Sequence, residues 1–304
     1  MTSFGAGQIE AIRLSIGDSV RTILTGRPTP AGNDLASPPG DPGLFGPDSA
    51  AWKVHGDISM LIGGLRALLI QTLHPLAMAG VSDHSDYRHD PTGRLHRTGA
   101  FIATTTFAST AAAESAAARV RRVHDRVQGT GPDGQTYAAS DPHLLMWVHA
   151  TEVDSFVRAH RRYSAHPLAE SDYDRYVGEM GVILTLLGGQ DPPGSLDELD
   201  QVLTSYQPEL RSSRLARDTV RFLLVPPAPL LARGPYGIVA GAAVGMLPRY
   251  ARRMLWLPLA PGSDQLMVRP AAHALLKVLG WALGPSPNLA TATARATHGS
   301  EHHD

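Results

Sequence analysis

The histidine best placed to bind a ligand is His124, near the end of a helix predicted over residues 110–128. It follows Val120 by four residues and precedes Val127 by three, so it falls on the apolar stripe of that helix. The other stripe residues are small: Ala113, Ala116, Ala117 and Val123. An inward imidazole beside small side chains leaves space for a flat ligand, and a neutral ring nitrogen can bind iron. The alternative is a core histidine that donates a hydrogen bond to a backbone carbonyl.

A second group of candidate residues consists of Arg94, Arg97 and Thr98. If a helix begins here, Arg94 and Arg97 lie three residues apart on one face. Two cations beside a hydroxyl suit an anion, a haem propionate or iron-bound dioxygen. The alternative is a solvated basic turn whose arginines pair with Asp86 or Asp90.

A third group is His149 and Glu152, three residues apart on a helix whose start is signalled by Asp141 and Pro142. This spacing matches one half of a di-iron carboxylate site. It also suits a pair in which the carboxylate of Glu152 orients the imidazole of His149. A di-iron site needs the motif twice with two further glutamates, and the sequence has one copy.

His74 ends the first predicted long helix and lies on or near its apolar face. Two further histidines, His84 and His89, follow in a segment that contains Asp86. These side chains are candidates for the mouth of a pocket, and a structural role for each is the alternative. His74 is therefore a candidate cofactor-binding residue.

The composition excludes several kinds of site. The chain has no cysteine, which rules out disulfides, iron–sulfur clusters, thiolate-ligated haem and a cysteine nucleophile. Its net charge of −1 offers nothing to attract a phosphate backbone, so nucleic acid is not expected as a partner. We find no secretory signal pattern and no uninterrupted apolar run of about 20 residues. These features predict a cytoplasmic protein without a transmembrane segment.

The elements that position these residues are helices separated by joints rich in proline and glycine. Apolar residues recur at three- and four-residue steps from Trp52 to Leu73, while residues 81–93 are predicted as a connection. A capping box begins at Ser195, and no segment shows a convincing strand pattern. We expect an all-α fold with a single multi-helix domain over residues 51–284. Residues 1–50 are predicted to form an N-terminal helix and a Pro/Gly-rich loop, and residues 285–304 a disordered tail.

Five segments, spread over nearly half the chain, resemble the bacterial branch of the latex-clearing-protein (rubber oxygenase)/MpaB-like oxygenase family. They are residues 63–75 (GGLRALLIQTLHP), 81–85 (VSDHS), 94–98 (RLHRT), 120–127 (VRRVHDRV) and 147–152 (WVHATE). These motifs are specific to the family and not to one reaction, because most bacterial members have no assigned activity.

The resemblance implies an all-helical fold around a non-covalent haem b. It also implies that one histidine ligates the iron, in a Val-Arg-x-Val-His context like that of His124. An Arg-x-x-Lys-Thr segment, which falls on Arg94, Arg97 and Thr98, would supply groups on the distal side. This chain has Arg97 where the rubber oxygenases have lysine. An arginine has no lone pair to offer to a metal, so the distal ligation would differ.

Three functions of different classes follow. The first is a haem-dependent oxygenase that uses O2 on a hydrophobic, isoprenoid-like carbon–carbon double bond. The second is a haem-binding sensor or carrier without turnover, and the third is a metal-dependent protein that uses His149 and Glu152. Cations and an aromatic residue at Arg249, Arg252, Arg253 and Trp256 suggest a peripheral membrane contact, with a solvated helix face as the alternative. A homo-oligomer is compatible with the sequence.

Overall fold

The computed structural model describes residues 35–85, 90–131, 133–226, 230–257 and 262–297. The predicted N-terminal helix before residue 35 lies outside these ranges. Within them the protein is all-α, apart from one small sheet, as the sequence predicts.

Thirteen α-helices are described, and most begin at a polar capping residue that accepts a hydrogen bond from the first turn. In chain order they are α1 (Ala50–His55), α2 (Met60–Gln71), α3 (Pro75–His84), α4 (Pro91–Phe107), α5 (Thr110–His124), α6 (Pro142–Tyr163), α7 (Glu170–Leu187), α8 (Leu196–Ser205), α9 (Arg214–Leu224), α10 (Leu230–Met246), α11 (Arg249–Met254), α12 (Arg269–Leu283) and α13 (Pro287–Thr297). A 3₁₀ turn at Gln207–Glu209 follows α8, and a π-helical turn at Asp264–Val268 leads into α12.

The small sheet is antiparallel and joins β1 (Gln128–Thr130) to β2 (Thr136–Ala138), with Gly129 opposite Tyr137. The sequence predicts the intervening turn, where Gly134 has a φ of 84°. It does not predict the strands, because three residues are too few for an alternating pattern. The preceding helix α5 therefore ends at His124, short of the predicted stop at Gly129.

The long helix predicted from Trp52 is interrupted between α1 and α2. Asp57 accepts a hydrogen bond from the backbone N–H of Ser59 at 2.7 Å, which replaces the helical pattern at this point. The hydroxyl of Ser164 donates to the other Asp57 oxygen at 2.7 Å, which fixes the bend to the end of α6. The apolar spacing continues through the break because both helices contribute to one core.

The connection predicted over residues 81–93 is largely helical in the parts that the structure describes. Helix α3 continues to His84, and α4 begins at Pro91 after the cap Asp90, whose Oδ1 accepts from the N–H of Gly93 at 2.8 Å. A proline in the first turn after an aspartate favours the start of a helix, because the backbone N–H that proline lacks would have no intrahelical partner at this position. Residues 86–89 lie outside the described ranges.

Helices α2 and α6 form the most extensive pair in the core. They approach closely at Gly63, where an added Cβ would lie 2.8 Å from Phe156 Cδ1. Beside this contact the buried guanidinium of Arg66 lies 2.7 Å from Asp154 Oδ2 and donates to Ser155 Oγ at 2.6 Å. A buried charge of this kind needs both a counter-charge and hydrogen bonds, and Arg66 has both.

The C-terminal segment corrects one expectation, because α13 occupies much of the predicted disordered tail. Its Arg295 is 3% exposed and donates to the carbonyl oxygens of Leu35, Asp41 and Phe107 at 2.6–2.7 Å. The segment is rich in Ala and Thr and has few large apolar residues, so its hydrophobic pattern is weak. It is ordered by one cation that binds carbonyl groups, and periodicity does not reveal such an anchor.

Among the described residues, the segment Asp264–Leu283 has the length and composition of a minimal membrane span, and the bent pair of α2 and α3 passes the same test if taken as one span. The segment Asp264–Leu283 carries three charged residues, so this is weak evidence for a span. Nearby, Trp256 is exposed, and the guanidinium of Arg217 stacks over its ring at 4.7 Å. The peripheral membrane contact stays a prediction.

Candidate functional site

A cavity of about 690 Å³, here called the central cavity, lies between α2–α7, β2 and α9. Its volume is within the range of roughly 300–1,000 Å³ that small-molecule and cofactor sites occupy. Most of the lining is apolar and comes from side chains such as Leu68, Met78, Phe101, Leu145 and Leu187. The polar lining residues include six candidates from the sequence: Arg94, Arg97, Thr98, His124, His149 and Glu152.

His124 lies at the C-terminal end of α5 and is partly buried in the cavity wall. Its Nδ1 is buried and has no hydrogen-bond partner within the described residues. Burial lowers the pKa of this imidazole, and the nearby Asp125 carboxylate offsets only part of the effect. The ring is therefore neutral at pH 7 and has a nitrogen that is not used by the protein, as a metal ligand requires.

His149 enters the same cavity from α6, and its Nε2 is also buried without a partner in the described part of the chain. Burial lowers the pKa of this imidazole to about 4, so the ring is neutral across the physiological range. Two neutral imidazoles with unpaired nitrogens thus line one apolar cavity.

Glu152 lies one turn after His149 and also lines the cavity. Burial raises the pKa of its carboxyl to about 7. No hydrogen bond joins Glu152 to His149 among the described residues, so the predicted orienting role is not seen. The carboxyl instead lies in the mostly apolar cavity wall and can hold or release a proton near neutral pH.

Arg94, Arg97 and Thr98 lie in the first two turns of α4, at the edge of the cavity. Arg94 donates a hydrogen bond to Ser85 Oγ. Arg97 is 66% exposed and its Nη1 lies 3.2 Å from Asp90 Oδ2. The structure thus shows Arg97 paired with Asp90 at the surface, which was the alternative for this segment. Arg97 nevertheless also lines the cavity.

His74 lies apart from this cavity, and the lining does not include it. Helices α2 and α3 meet at an angle of 105°, and His74 is the residue just before α3. The sharp bend separates its side chain from the cavity-lining face of α2, which the continuous apolar pattern of the sequence does not reveal. His74 contacts His143 and Glu209 instead.

The sequence interpretation missed the cavity residues that come from distant elements. Tyr137 from β2 and Thr219 and Leu223 from α9 reach the cavity only through tertiary packing. No motif marks them, because their spacing is that of ordinary surface or core residues. Met78 and Gly80 on α3 were missed for another reason, since residues 76–80 lie between the predicted first helix and the predicted connection over residues 81–93 and were assigned to neither.

The donor set fits a b-type haem. The cavity offers neutral imidazole nitrogens for the iron, apolar walls for the macrocycle, and the cations Arg94 and Arg97 at its edge for carboxylate side chains. The chain has no cysteine to form a thioether attachment, so the group would be held without covalent bonds.

Comparison with known families gives a match over most of the chain. Residues 52–281 match the family model described as the catalytic domain of the ER-bound oxygenase mpaB/B'/rubber oxygenase. Neither the curated proteins nor the solved structures contain a match. The matched residues make up most of the chain and include every helix that lines the central cavity, in agreement with the resemblance drawn from the motifs. The chain therefore belongs to the mpaB/rubber oxygenase family.

Proposed function

We propose that this protein is a haem b-dependent oxygenase that acts with O2 on a hydrophobic, isoprenoid-like substrate containing a carbon–carbon double bond. The observation that carries the proposal is the pair of unpartnered imidazole nitrogens, His124 Nδ1 and His149 Nε2, in one apolar cavity. Family membership supports oxygenase chemistry with a small molecule and O2. The rubber oxygenases, after which the family is named, favour a polyisoprenoid class of substrate.

In this proposal His124 would hold the iron, His149 would be the second candidate ligand, and Arg94 and Arg97 would hold the carboxylates of the macrocycle. Bound haem would supply the redox centre at which O2 is activated. The apolar side chains of the cavity would bind the alkene and exclude water. Glu152 would hold a proton inside the cavity and exchange it near neutral pH, because burial raises its pKa to about 7.

The substitution that tests the haem site is His124→Ala. Alanine preserves helix α5, so we expect a folded protein that loses at least about tenfold in haem affinity. The measurement is titration with hemin, followed by the Soret band, with circular dichroism to check the fold. The matched control is His84→Ala, which removes another cavity-lining imidazole that contacts the Gln128 carbonyl at 3.2 Å.

The outcome decides between the two helices. Loss of the Soret band in His149→Ala but not in His124→Ala would transfer the iron ligand to α6. If the wild-type protein does not bind hemin in a stoichiometric ratio, the haem proposal fails. The metal-dependent alternative with His149 and Glu152 would then be favoured.

Turnover separates an oxygenase from a haem sensor or carrier. We expect O2 consumption by the haem-loaded protein with an unsaturated isoprenoid such as squalene, and none with its saturated counterpart squalane. Carbonyl products identified by mass spectrometry would report cleavage of the double bond. Haem-loaded protein that consumes no O2 with any member of an alkene panel would support the carrier.

A further inference from the structure

A second group of metal-ligating side chains lies outside the central cavity. His74 precedes α3, His143 is in the first turn of α6, and Glu209 ends the 3₁₀ turn. Their ligand atoms lie within 4.8 Å of one another. The side chain of His74 is 2% exposed, whereas those of His143 and Glu209 are 52% and 42% exposed. The cluster thus has a buried side and an open side.

The two imidazoles direct the same nitrogen at one carboxylate. His74 Nε2 lies 3.3 Å from Glu209 Oε2, and His143 Nε2 lies 2.9 Å from Oε2 and 3.0 Å from Oε1. Donor atoms about 2.0–2.1 Å from a tetrahedral zinc ion are separated from one another by roughly 3.3 Å. The nitrogen–oxygen distances are close to that value, and the ligand atoms of all three residues lie within 4.8 Å of one another, so an adjustment of the two exposed side chains admits an ion.

The surrounding hydrogen bonds prepare His143 for a cation. The Tyr206 hydroxyl donates its proton to the His143 carbonyl at 2.7 Å, so at its 3.2 Å contact with His143 Nδ1 it accepts. Nδ1 therefore carries a proton, and Nε2 faces the Glu209 carboxylate, where it takes either a second proton or a metal ion. A lone pair that faces a carboxylate at 2.9 Å requires a proton or a metal ion between them.

His74 is held in place by different contacts. Its ring packs against those of Trp147 and Tyr206, with centroids 5.9 and 6.1 Å away. Its Nδ1 accepts from the Ala77 N–H at 3.4 Å, which is longer than the usual N–H hydrogen-bond distance of about 2.9 Å. Little is lost when metal binding at Nε2 moves the ring's proton to Nδ1.

We propose that His74, His143 and Glu209 bind one divalent transition-metal ion, of which Zn²⁺ is the representative, with solvent at the fourth position. Two histidines and a glutamate with an open position are a known ligand set for zinc. The ion would join three separate parts of the chain: the start of α3, the start of α6 and the 3₁₀ turn. Because α3 and α6 both line the central cavity, the ion would stabilise two of its walls.

The test is metal binding to the full-length protein after treatment with a chelator and its removal. We expect one Zn²⁺ per chain by calorimetry, with at least about a tenfold loss of affinity in His143→Ala and in Glu209→Gln. Co²⁺ titrated into the same protein should give the intense visible bands of tetrahedral coordination, and these should be lost in both variants. The control His166→Ala removes an exposed imidazole far from the cluster and should change neither measurement.

The comparison of variants distinguishes metal binding at the cluster from metal binding elsewhere in the chain. Other histidines, including His302 and His303, are present in every variant, so only the difference between wild type and the variants reports on the cluster. Equal Zn²⁺ binding in wild type, His143→Ala and Glu209→Gln would overturn the proposal and leave a hydrogen-bonded imidazole–carboxylate cluster. The readouts need no haem and no substrate, so they are independent of the proposed function.

Discussion

At the scale of single residues, burial in the central cavity determines which groups carry charge. His149 stays neutral because burial lowers its pKa to about 4, and the carboxyl of Glu152 retains a proton up to about pH 7. The two groups are neighbours on α6 and neither has a protein counter-charge to restore the charged form. The formal charges at the cavity are therefore those of Arg94 and Arg97 at its edge, together with Glu152 as it ionises around pH 7.

Glu152→Gln should change how stability depends on pH in the haem-free protein. The pKa of Glu152 is raised from an ordinary 4.5 to about 7, so its contribution is fully present below pH 4.5. As the pH rises from 4.5 through 7, the carboxyl releases its proton in the unfolded chain before it does so in the folded one. The free energy of unfolding of the wild type therefore falls by up to roughly 3 kcal/mol. Water that enters the cavity reduces this value. The variant should show no such loss.

The measurement is urea denaturation of both proteins at pH 5 and pH 8. The difference between wild type and variant isolates Glu152, because the opposite effect of His149, lost stability as the pH falls from 6.5 to 4, is common to both. Glu114→Gln, an exposed change on α5, is the matched control. An equal pH dependence in wild type and Glu152→Gln would contradict the buried carboxyl.

At the scale of elements, the close contact of α2 and α6 depends on one glycine. A Cβ at Gly63 would lie 2.8 Å from Phe156 Cδ1 and 3.1 Å from the Ser155 carbonyl oxygen, whereas a Cβ at Gly64 would meet only Phe156 Cε1 at 4.0 Å. We expect Gly63→Ala to be less stable than Gly64→Ala by about 1–3 kcal/mol, because the added methyl overpacks the interface. Thermal or urea unfolding measures the difference.

The two variants are a matched pair because both changes lie in α2. Each replacement of glycine by alanine gains about 1 kcal/mol of helix propensity, and this gain cancels in the difference between the variants. If the two alanine variants were equally stable, α2 and α6 would not be packed at this distance. The variant Gly63→Ala should also bind hemin more weakly, since both helices line the central cavity.

The elements that could be predicted from sequence are those that begin with a local signal. Asp141 accepts a hydrogen bond from the His143 N–H at 2.9 Å, and Ser195 accepts one from Glu198, so the helices α6 and α8 begin where their caps predict. The break at Asp57 was missed because apolar spacing is the same on either side of it. Likewise, the motifs identified most of the polar cavity residues, but the position of His74 depends on a bend that no local pattern encodes.

At the scale of the whole molecule, Arg295 connects the last described helix to the first described residues. Its guanidinium donates to three carbonyl oxygens, those of Leu35, Asp41 and Phe107. Arg295→Ala would leave these buried carbonyls without a partner, and we expect a loss of about 2–5 kcal/mol in the free energy of unfolding. The matched control is Arg214→Ala, whose side chain is 90% exposed and lies 3.8 Å from Asp218.

The control should cost less than about 1 kcal/mol, as is usual for an exposed ion pair. Urea unfolding of the two variants checks the prediction. Equal stability of Arg295→Ala and Arg214→Ala would mean that α13 is not docked. The matched family region ends at residue 281, before Arg295, so a fragment cut to that boundary should be less stable than the full chain.

The contact of Arg295 with Leu35 also brings distant parts of the sequence together in space. Nη1 of Arg295 lies 2.6 Å from the Leu35 carbonyl oxygen, and the Gly40 N–H donates to the Arg295 carbonyl at 2.8 Å. Between residues 35 and 295 the chain thus follows a nearly closed path. A short linker across this junction, with new termini in the exposed turn near Gly134, would give a circular permutant with the same helix packing.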